Sequence, residues 1–164
     1  MNEAVAALRR GQAVILPTDT VYGLCVLPGN EDLLYELKGR DRSKPIALIA
    51  ADIEALPAEL DRAVLQRYFP GAYTLVFGSV GVRVPNLTPA AAEVVREVGV
   101  VAATSANLSG GPDPRRVEDI PEEIRVAVGA IVDAGELPGT PSTVIDLRGA
   151  VPVVLRQGAG ELPS

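Results

Sequence analysis

Short apolar runs separated by polar and glycine-containing stretches recur along the whole chain. They predict strands, because they are short, rich in valine and isoleucine, and bounded by turn residues. The predicted strands are AVILP (13–17), IALIA (46–50), YTLVFGS (73–79), VGVRVP (80–85), VVAATS (100–105), AIVDAG (130–135), STVIDL (142–147) and VPVVLR (151–156). The last two are separated by RGA, which predicts a hairpin.

Other segments have helical spacing or helix end signals. The predicted helices are 2–10, 30–38, 57–68, 88–98 and about 119–128. Asn30 is placed to cap the second, Gly39 to end it, and Pro89 to lie in the first turn of the fourth. Helices and strands alternate early and hairpins come later, so we expect an α/β fold: one domain with a twisted, mixed parallel and antiparallel sheet and flanking helices.

Length and composition fit that single domain. The chain has 164 residues, 48% of them hydrophobic and 22% charged, which is enough for a sizeable core. We expect the domain to cover residues 1–158 and the ending, 159–164, to be a flexible tail. The start predicts an amphipathic helix rather than a signal peptide, and no apolar run is long enough to cross a bilayer. The single cysteine, Cys25, suits a reducing cytoplasm, as a buried hydrophobe or a reactive thiol.

The chain contains no histidine. Ser-His-Asp and Cys-His catalysis are therefore excluded, as are metal sites built on imidazole. A metal could bind only through oxygen ligands, which points to Mg²⁺ held mainly by substrate phosphates. The net charge of -6 argues against a broad nucleic-acid-binding surface but leaves a local basic patch open.

Small hydroxyl and amide residues cluster at strand ends. The clusters are PTDT (17–20), TSANLSG (104–110) and PST (141–143). Each alone is equally a set of turn or cap residues. Together they could hold a small zwitterion and a nucleotide in one crevice. No glycine-rich phosphate loop is present, and Arg83 and Arg156, inside apolar strand patterns, either face solvent or point inward toward anions.

Four cations alternate in the segment KGRDRSKP: Lys38, Arg40, Arg42 and Lys44. In an extended chain they would share one face and repel one another. The segment is therefore either a well-solvated loop or a binding site for a polyphosphate.

Seven segments, in this order and across nearly the whole chain, resemble the YrdC/Sua5 family in its short, YrdC-like form. They are LPTDTVYGL (16–24), LKGRDRSKPIALI (37–49), FPGAYTLVF (69–77), VGVRVP (80–85), TSANLSG (104–110), STVIDL (142–147) and LRQG (155–158). The resemblance implies a twisted α/β sheet around a positively charged cleft. It also implies L-threonylcarbamoyladenylate synthase activity, which forms threonylcarbamoyl-AMP and pyrophosphate from L-threonine, bicarbonate and ATP for N6-threonylcarbamoyladenosine in tRNA.

The resemblance also implies roles for individual residues. The catalytic, phosphate-binding cations would be Lys38, Arg40 and Lys44. The ATP contacts would further include Ser43, Ser105, Asn107, Ser142, Thr143 and Arg156. The threonine and carbamate contacts would be Thr18, Thr20, Tyr22, Thr74, Arg83 and Ser105. Mg²⁺ would arrive bound to the ATP phosphates, and downstream threonylcarbamoyl-transfer proteins, with a transient tRNA contact, would be the partners.

Some positions are open or depart from the family pattern. Asp19 would either bind magnesium-linked water or brace its loop, and we favour bracing. Ile49 stands where some longer members have a histidine that touches threonine. Two alternatives are an RNA-binding module of the same fold without adenylate synthesis, and a paralogous carbamoyl or adenylyl transferase with another substrate.

Overall fold

The computed structural model describes residues 2–39 and 46–162. In these residues a single sheet runs through the molecule in the order β7-β1-β2-β6-β3-β5-β4-β8-β9. Its strands are β1 Val14–Pro17, β2 Tyr22–Val26, β3 Ala47–Ala50, β4 Tyr73–Phe77, β5 Val80–Arg83, β6 Val100–Ser105, β7 Ala130–Ile131, β8 Thr143–Asp146 and β9 Val153–Arg156. Three neighbouring pairs, β1 with β7, β3 with β5 and β4 with β8, are parallel and the others antiparallel, so the predicted mixed sheet is confirmed.

Five α-helices flank the described part of the sheet. They are α1 Glu3–Arg9, α2 Glu31–Lys38, α3 Arg62–Tyr68, α4 Pro89–Val98 and α5 Glu122–Arg125. In α4, Thr88 accepts a hydrogen bond from the Ala91 amide, and Pro89 occupies the first turn as predicted. Gly39 ends α2 with φ of 64°, a left-handed conformation that glycine adopts at little cost.

Several predicted boundaries were wrong. The helix expected over 57–68 begins only at Arg62, because Asp61 caps it by accepting from the Ala63 and Val64 amides. The helix expected at 119–128 shrinks to α5, and the strand expected at 130–135 to β7. Asn30 precedes α2 but makes no side-chain cap.

Among the described residues, one strand was not predicted by the pattern, β2. It pairs with β1 and β6 and is buried along its whole length. Strands buried on both faces lack the alternation of polar and apolar residues that marks exposed strands. The predicted β8–β9 hairpin is confirmed, with an irregular register near Ile145.

The first residues of the ending that is expected to be a flexible tail are hydrogen-bonded to the rest of the chain. The Ala159 amide donates to the Pro141 carbonyl oxygen, and Thr143 Oγ1 donates to the Gly160 carbonyl oxygen. Tyr73 donates its hydroxyl to the Glu161 carbonyl oxygen. The chain is therefore packed beyond residue 158, at least as far as Glu161.

The two faces of the sheet are covered differently. On one face, α2, α3 and α5 pack over two apolar clusters that include Leu24 and Leu75. On the other, α1 and α4 pack over a third cluster that includes Val14 and Val101. This second face continues past both helices toward β5, β4 and β8, where the cavity described below lies. Among the helices of the described residues, none is both long and apolar enough to span a membrane.

Candidate functional site

A cavity of about 270 Å³ lies on the part of the second sheet face that α1 and α4 leave uncovered. Small residues form much of its floor: Gly23, Ala103, Ala47 and Gly81. Ala103 and Gly81 both pair with Ala47, so these three lie side by side across β6, β3 and β5. Because directly paired residues project to the same face, the absence of large side chains in this row leaves room above the sheet.

The cavity brings together six predicted site residues from distant parts of the chain. They are Thr20, Thr74, Arg83, Ser105, Ser142 and Arg156. Each of the three hydroxyl clusters found in the sequence contributes at least one of them. The prediction that these clusters share one crevice is therefore confirmed, and both arginines line it.

The first cluster forms a tight turn that presents Thr20 to the cavity. Thr18 donates its hydroxyl to the Val21 carbonyl oxygen at 2.6 Å and accepts from the Thr20 and Val21 amides at 3.2 and 3.3 Å. This is the local side-chain bonding that threonine favours in turns. Thr18 itself is buried and does not line the cavity, so it supports the wall rather than forming it.

Arg83 lies at the end of β5 with its guanidinium mostly buried. Its side chain is 13% exposed, and Nη2 lies 3.3 Å from Thr20 Oγ1 and 3.5 Å from Asp19 Oδ1. Burial lowers the pKa of Arg83, and the Asp19 carboxylate opposes that shift. Arg83 Nε and Asp19 Oδ1 are buried and have no hydrogen-bond partner among the described residues. A buried charged donor without an acceptor is costly, so the hydrogen bonding of this corner is incomplete among the described residues.

On the opposite wall, Arg156 of β9 fixes the segment before β8. Its guanidinium donates to the Ser142 carbonyl oxygen at 2.9 and 3.1 Å and to Ser142 Oγ at 3.3 Å. Ser142 Oγ lies 2.7 Å from Thr74 Oγ1. These contacts place two hydroxyl groups and a cation at one end of the cavity.

Lys38 does not belong to an extended row of cations, because it is the last residue of α2. Its side chain is buried behind the cavity wall, where Nζ donates to the Ser105 carbonyl oxygen at 2.7 Å and to Asn107 Oδ1 at 2.8 Å. It also reaches Thr104 Oγ1 and Ser105 Oγ, both at 3.2 Å. In this arrangement Lys38 organises the TSAN segment, and its assignment to phosphate stays a prediction.

The Asn107 side chain likewise bonds to other protein groups and does not line the cavity. Its side-chain nitrogen donates to the Gly111 and Pro112 carbonyl oxygens at 2.9 and 3.3 Å and to Asp113 Oδ1 at 3.3 Å. It thereby holds the loop that follows β6, and Asp113 lines the cavity.

Two further predicted contacts lie away from the cavity. Tyr22 projects to the opposite sheet face, where its hydroxyl donates to the Gly135 carbonyl oxygen at 2.7 Å and accepts from the Ala134 amide at 2.9 Å. Thr143 is fully buried and bonded to Gly158 and Gly160. Successive strand residues point to opposite faces, so Tyr22 and Thr143 face away from the side on which their neighbours Gly23 and Ser142 line the cavity. Their substrate contacts stay predictions.

The remaining predicted phosphate-binding residues lie in a segment that the structure does not describe. Arg40, Ser43 and Lys44 lie outside the described residues, as does Arg42. The positive charge predicted for the cleft depends partly on them and stays a prediction.

Sequence reasoning missed several lining residues. Asp113 lines the cavity, as do the floor residues Gly81 and Ala103. Gly81 carried a signal, since glycine inside a strand pattern often marks a close approach. A Cβ atom there would lie 3.1 Å from Thr74 Cγ2. Ile49 also lines the cavity and offers only an apolar surface.

The donor set fits a magnesium ion that arrives with a nucleotide better than one bound by the protein. No group of three or more potential ligands among histidine, cysteine, aspartate and glutamate occurs in the described parts of the chain. The Asp19 oxygens face Arg83 and the Asn86 amide. Mg²⁺ commonly keeps phosphate and water ligands, so the hydroxyl-lined cavity is compatible with a magnesium nucleotide as substrate.

Known proteins resemble this chain over most of its length. A family model described as "Sua5_yciO_yrdC: Telomere recombination" matches residues 6–158. The threonylcarbamoyl-AMP synthase of Vibrio vulnificus (strain YJ016) is 34% identical over 186 residues, covering 96% of this chain and 98% of that protein. The enzyme of the same name from Bacillus subtilis (strain 168) is 36% identical over 182 residues, and the match covers 95% of this chain. This chain spans about half the length of the Bacillus subtilis protein, 52%.

Two solved structures have the same fold. The crystal structure of Pyrococcus abyssi Sua5 complexed with L-threonine superposes with a TM-score of 0.83 and is 32% identical, covering 94% of this chain and 53% of that one. Escherichia coli YciO superposes with a TM-score of 0.84 at 25% identity, covering 96% of this chain and 88% of that one.

Proposed function

Because this chain belongs to the Sua5/YciO/YrdC family, we propose that it is an L-threonylcarbamoyladenylate synthase. It would combine L-threonine, bicarbonate and ATP into threonylcarbamoyl-AMP and pyrophosphate, for N6-threonylcarbamoyladenosine in tRNA. The observation that carries the proposal is the cavity itself, where Arg83 and hydroxyl groups from three separate segments meet. The names of the relatives and the threonine complex of the Pyrococcus abyssi protein support it.

The proposed chemistry requires no histidine base from the protein. The threonine amine attacks the carbon of bicarbonate and water leaves, giving a carbamate. A carbamate oxygen then attacks the α-phosphorus of ATP, and the bond to the β-phosphate oxygen breaks to release pyrophosphate. Since the substrates supply the nucleophile, the protein has to position two anions and stabilise the charge that builds on the phosphates.

The described residues divide this work between the two walls of the cavity. Arg83 would bind the threonine carboxylate, with Thr20 beside it, because a guanidinium matches a carboxylate in shape and charge. Thr74 would lie near the carbamate, and Ser142 and Arg156 would face the nucleotide. Ser105, whose carbonyl oxygen accepts from Lys38, would lie at the junction of the two substrates.

The phosphate-binding role of Arg40, Ser43 and Lys44 rests on the sequence. We keep it in the proposal because the described cavity has only two arginines, Arg83 and Arg156, in its lining, and a triphosphate carries more negative charge than these two can balance. Mg²⁺ would enter with ATP and balance charge on the phosphates. For Lys38 the buried contacts favour a positioning role over a direct phosphate contact.

The product would pass to proteins that transfer the threonylcarbamoyl group to tRNA, with a transient tRNA contact. We propose the cytoplasm as the compartment, because the one cysteine is buried and unpaired and thiols stay reduced there.

Isotope tracing tests the proposal directly. The protein is incubated with magnesium ATP, L-threonine and ¹³C-bicarbonate, and the nucleotides are analysed by mass spectrometry. We expect a threonylcarbamoyl-AMP species that carries one ¹³C atom and is absent when threonine is omitted. An adenylate formed only with another amine or acyl donor would indicate a paralogous transferase. Salt-sensitive RNA binding without any adenylate would indicate an RNA-binding module.

A further inference from the structure

Asp19 pairs with the arginine that faces the cavity. Its carboxylate oxygen Oδ1 lies 3.5 Å from Arg83 Nη2, and the two side chains are only 14% and 13% exposed. A shielded pair of this kind is screened less by salt than one at the surface. Asp113, which lines the cavity as Asp19 does not, instead accepts from the Asn107 side chain.

The second oxygen of Asp19 ties the threonine turn to the chain beyond β5. Oδ2 accepts from the backbone amide of Asn86 at 2.9 Å. The carboxylate therefore connects three parts of the structure: its own turn, the end of β5 through Arg83, and the segment leading to α4. Oδ2 is hydrogen-bonded to a backbone amide, and Oδ1 lies beside the Arg83 guanidinium without a hydrogen bond to it, which supports the bracing role.

The position of Asp19 restricts where a ligand can approach the Arg83 guanidinium. Nη2 has Thr20 Oγ1 at 3.3 Å and Asp19 Oδ1 at 3.5 Å, so this nitrogen is turned toward the wall. The guanidinium has five donor hydrogens in a fixed plane, so holding one nitrogen against the wall also orients the others. A carboxylate reaching Arg83 from the cavity then has one preferred approach.

We propose that Asp19 is a positioning residue for the amino-acid substrate: it holds Arg83 in the orientation that receives the substrate carboxylate. The inference rests on the proposed function. Asp19 does not touch threonine itself. Its loss leaves Arg83 in place along the chain but lets the guanidinium turn, so threonine binding weakens while ATP binding is preserved.

Asp19→Asn separates the two contacts of the carboxylate. The amide keeps an oxygen that can accept from Asn86 but loses the charge that attracts Arg83. Asp146→Asn is the matched control, because it removes the same charge from another arginine pair, Asp146 with Arg148 at 2.9 Å, which lies outside the cavity lining. Steady-state pyrophosphate release gives the KM for threonine, the KM for ATP and kcat for each protein.

We expect Asp19→Asn to raise the KM for threonine about tenfold, the effect of losing one charge-assisted orientation. The KM for ATP should stay within about twofold of the unchanged protein, and Asp146→Asn should behave like the unchanged protein throughout. Asp19→Glu restores the charge on a longer side chain. Its KM for threonine should therefore lie between that of the unchanged protein and that of Asp19→Asn. This graded recovery is not expected from a purely structural role.

An unchanged KM for threonine in Asp19→Asn overturns the inference and leaves Asp19 as a brace of its turn. Equal rises in both KM values, with a lower melting temperature, overturn it as well, since they indicate general loss of structure. If Asp19→Asn does not fold, Asp19→Glu carries the test, and equal rises in its KM for threonine and its KM for ATP overturn the inference. If the unchanged protein shows no threonine-dependent turnover, the proposed function is overturned and this inference with it. If the unchanged protein turns over normally and Asp19→Asn is unaffected, only the inference is overturned.

Discussion

Replacing Lys38 by methionine distinguishes a buried brace from a phosphate ligand. Lys38 is 3% exposed, and its ammonium donates to Ser105 and Asn107 in the segment after β6. Methionine keeps an unbranched apolar stem of similar length, so the change removes the charge and its bonds without opening a large cavity.

The expected cost follows from these contacts. Hydrogen bonds to a charged group contribute about 1.5–3 kcal/mol, and relief from burying an ammonium offsets part of their loss. Asn107 Oδ1 also keeps the Ser105 hydroxyl as a donor at 2.7 Å. We therefore expect the free energy of unfolding to fall by about 2 kcal/mol, which lowers the melting temperature by about 4–8 °C in a domain of this size.

Thermal unfolding and calorimetric ATP binding provide the test. Arg9→Met is the matched control, because Arg9 is the last residue of α1 and its side chain is 48% exposed in a pair with Glu97. That control should change stability by less than about 1 kcal/mol. An unchanged melting temperature for Lys38→Met, with a large loss of ATP affinity, would refute the bracing role and restore the phosphate contact predicted from the sequence.

Two further predictions concern packing and pH. A Cβ atom on Gly158 would lie 2.2 Å from the Pro141 carbonyl oxygen, whereas a Cβ atom on Gly149 would meet nothing closer than 3.9 Å. Gly158→Ala should therefore lower the melting temperature by more than about 4 °C, and Gly149→Ala should change stability by less than about 0.5 kcal/mol. Equal melting temperatures for the two variants would contradict this prediction. Burial raises the pKa of Cys25 from 9.0 to about 12, so its contribution to stability is fully present below pH 9.0 and is lost as the pH rises toward 12. Urea unfolding at several pH values should show a smaller alkaline loss for Cys25→Ala than for the unchanged protein, and parallel curves would count against the buried thiol.

Local patterns predicted the strands and the mixed sheet well, because most strands are compact apolar runs between turn residues. They failed where tertiary contacts decide the outcome. β2 is buried on both faces and has no alternating pattern. α3 begins at Arg62, later than the predicted start at residue 57, because Asp61 caps it.

The candidate site was predictable as a set of residue types but not as a geometry. The three hydroxyl clusters identified the cavity, and Arg83 and Arg156 line it as the resemblance implied. Two adjacent strand residues point to opposite faces of the sheet, so only one of them can line the cavity. Which one does so depends on the strand's register, and the position of Lys38 depends on where α2 ends. For that reason the sequence pattern did not show that the Tyr22 and Lys38 side chains are hydrogen-bonded to other parts of the protein.

Pyrophosphate release with each substrate omitted in turn tests the central claim most directly. Magnesium ATP, L-threonine and bicarbonate are supplied together and then with one left out, and pyrophosphate is measured over time. We predict release that requires all three substrates and falls strongly in Arg83→Ala. Release that is independent of threonine, or no release from folded protein that binds ATP, would contradict the assignment of this cavity to threonylcarbamoyladenylate synthesis.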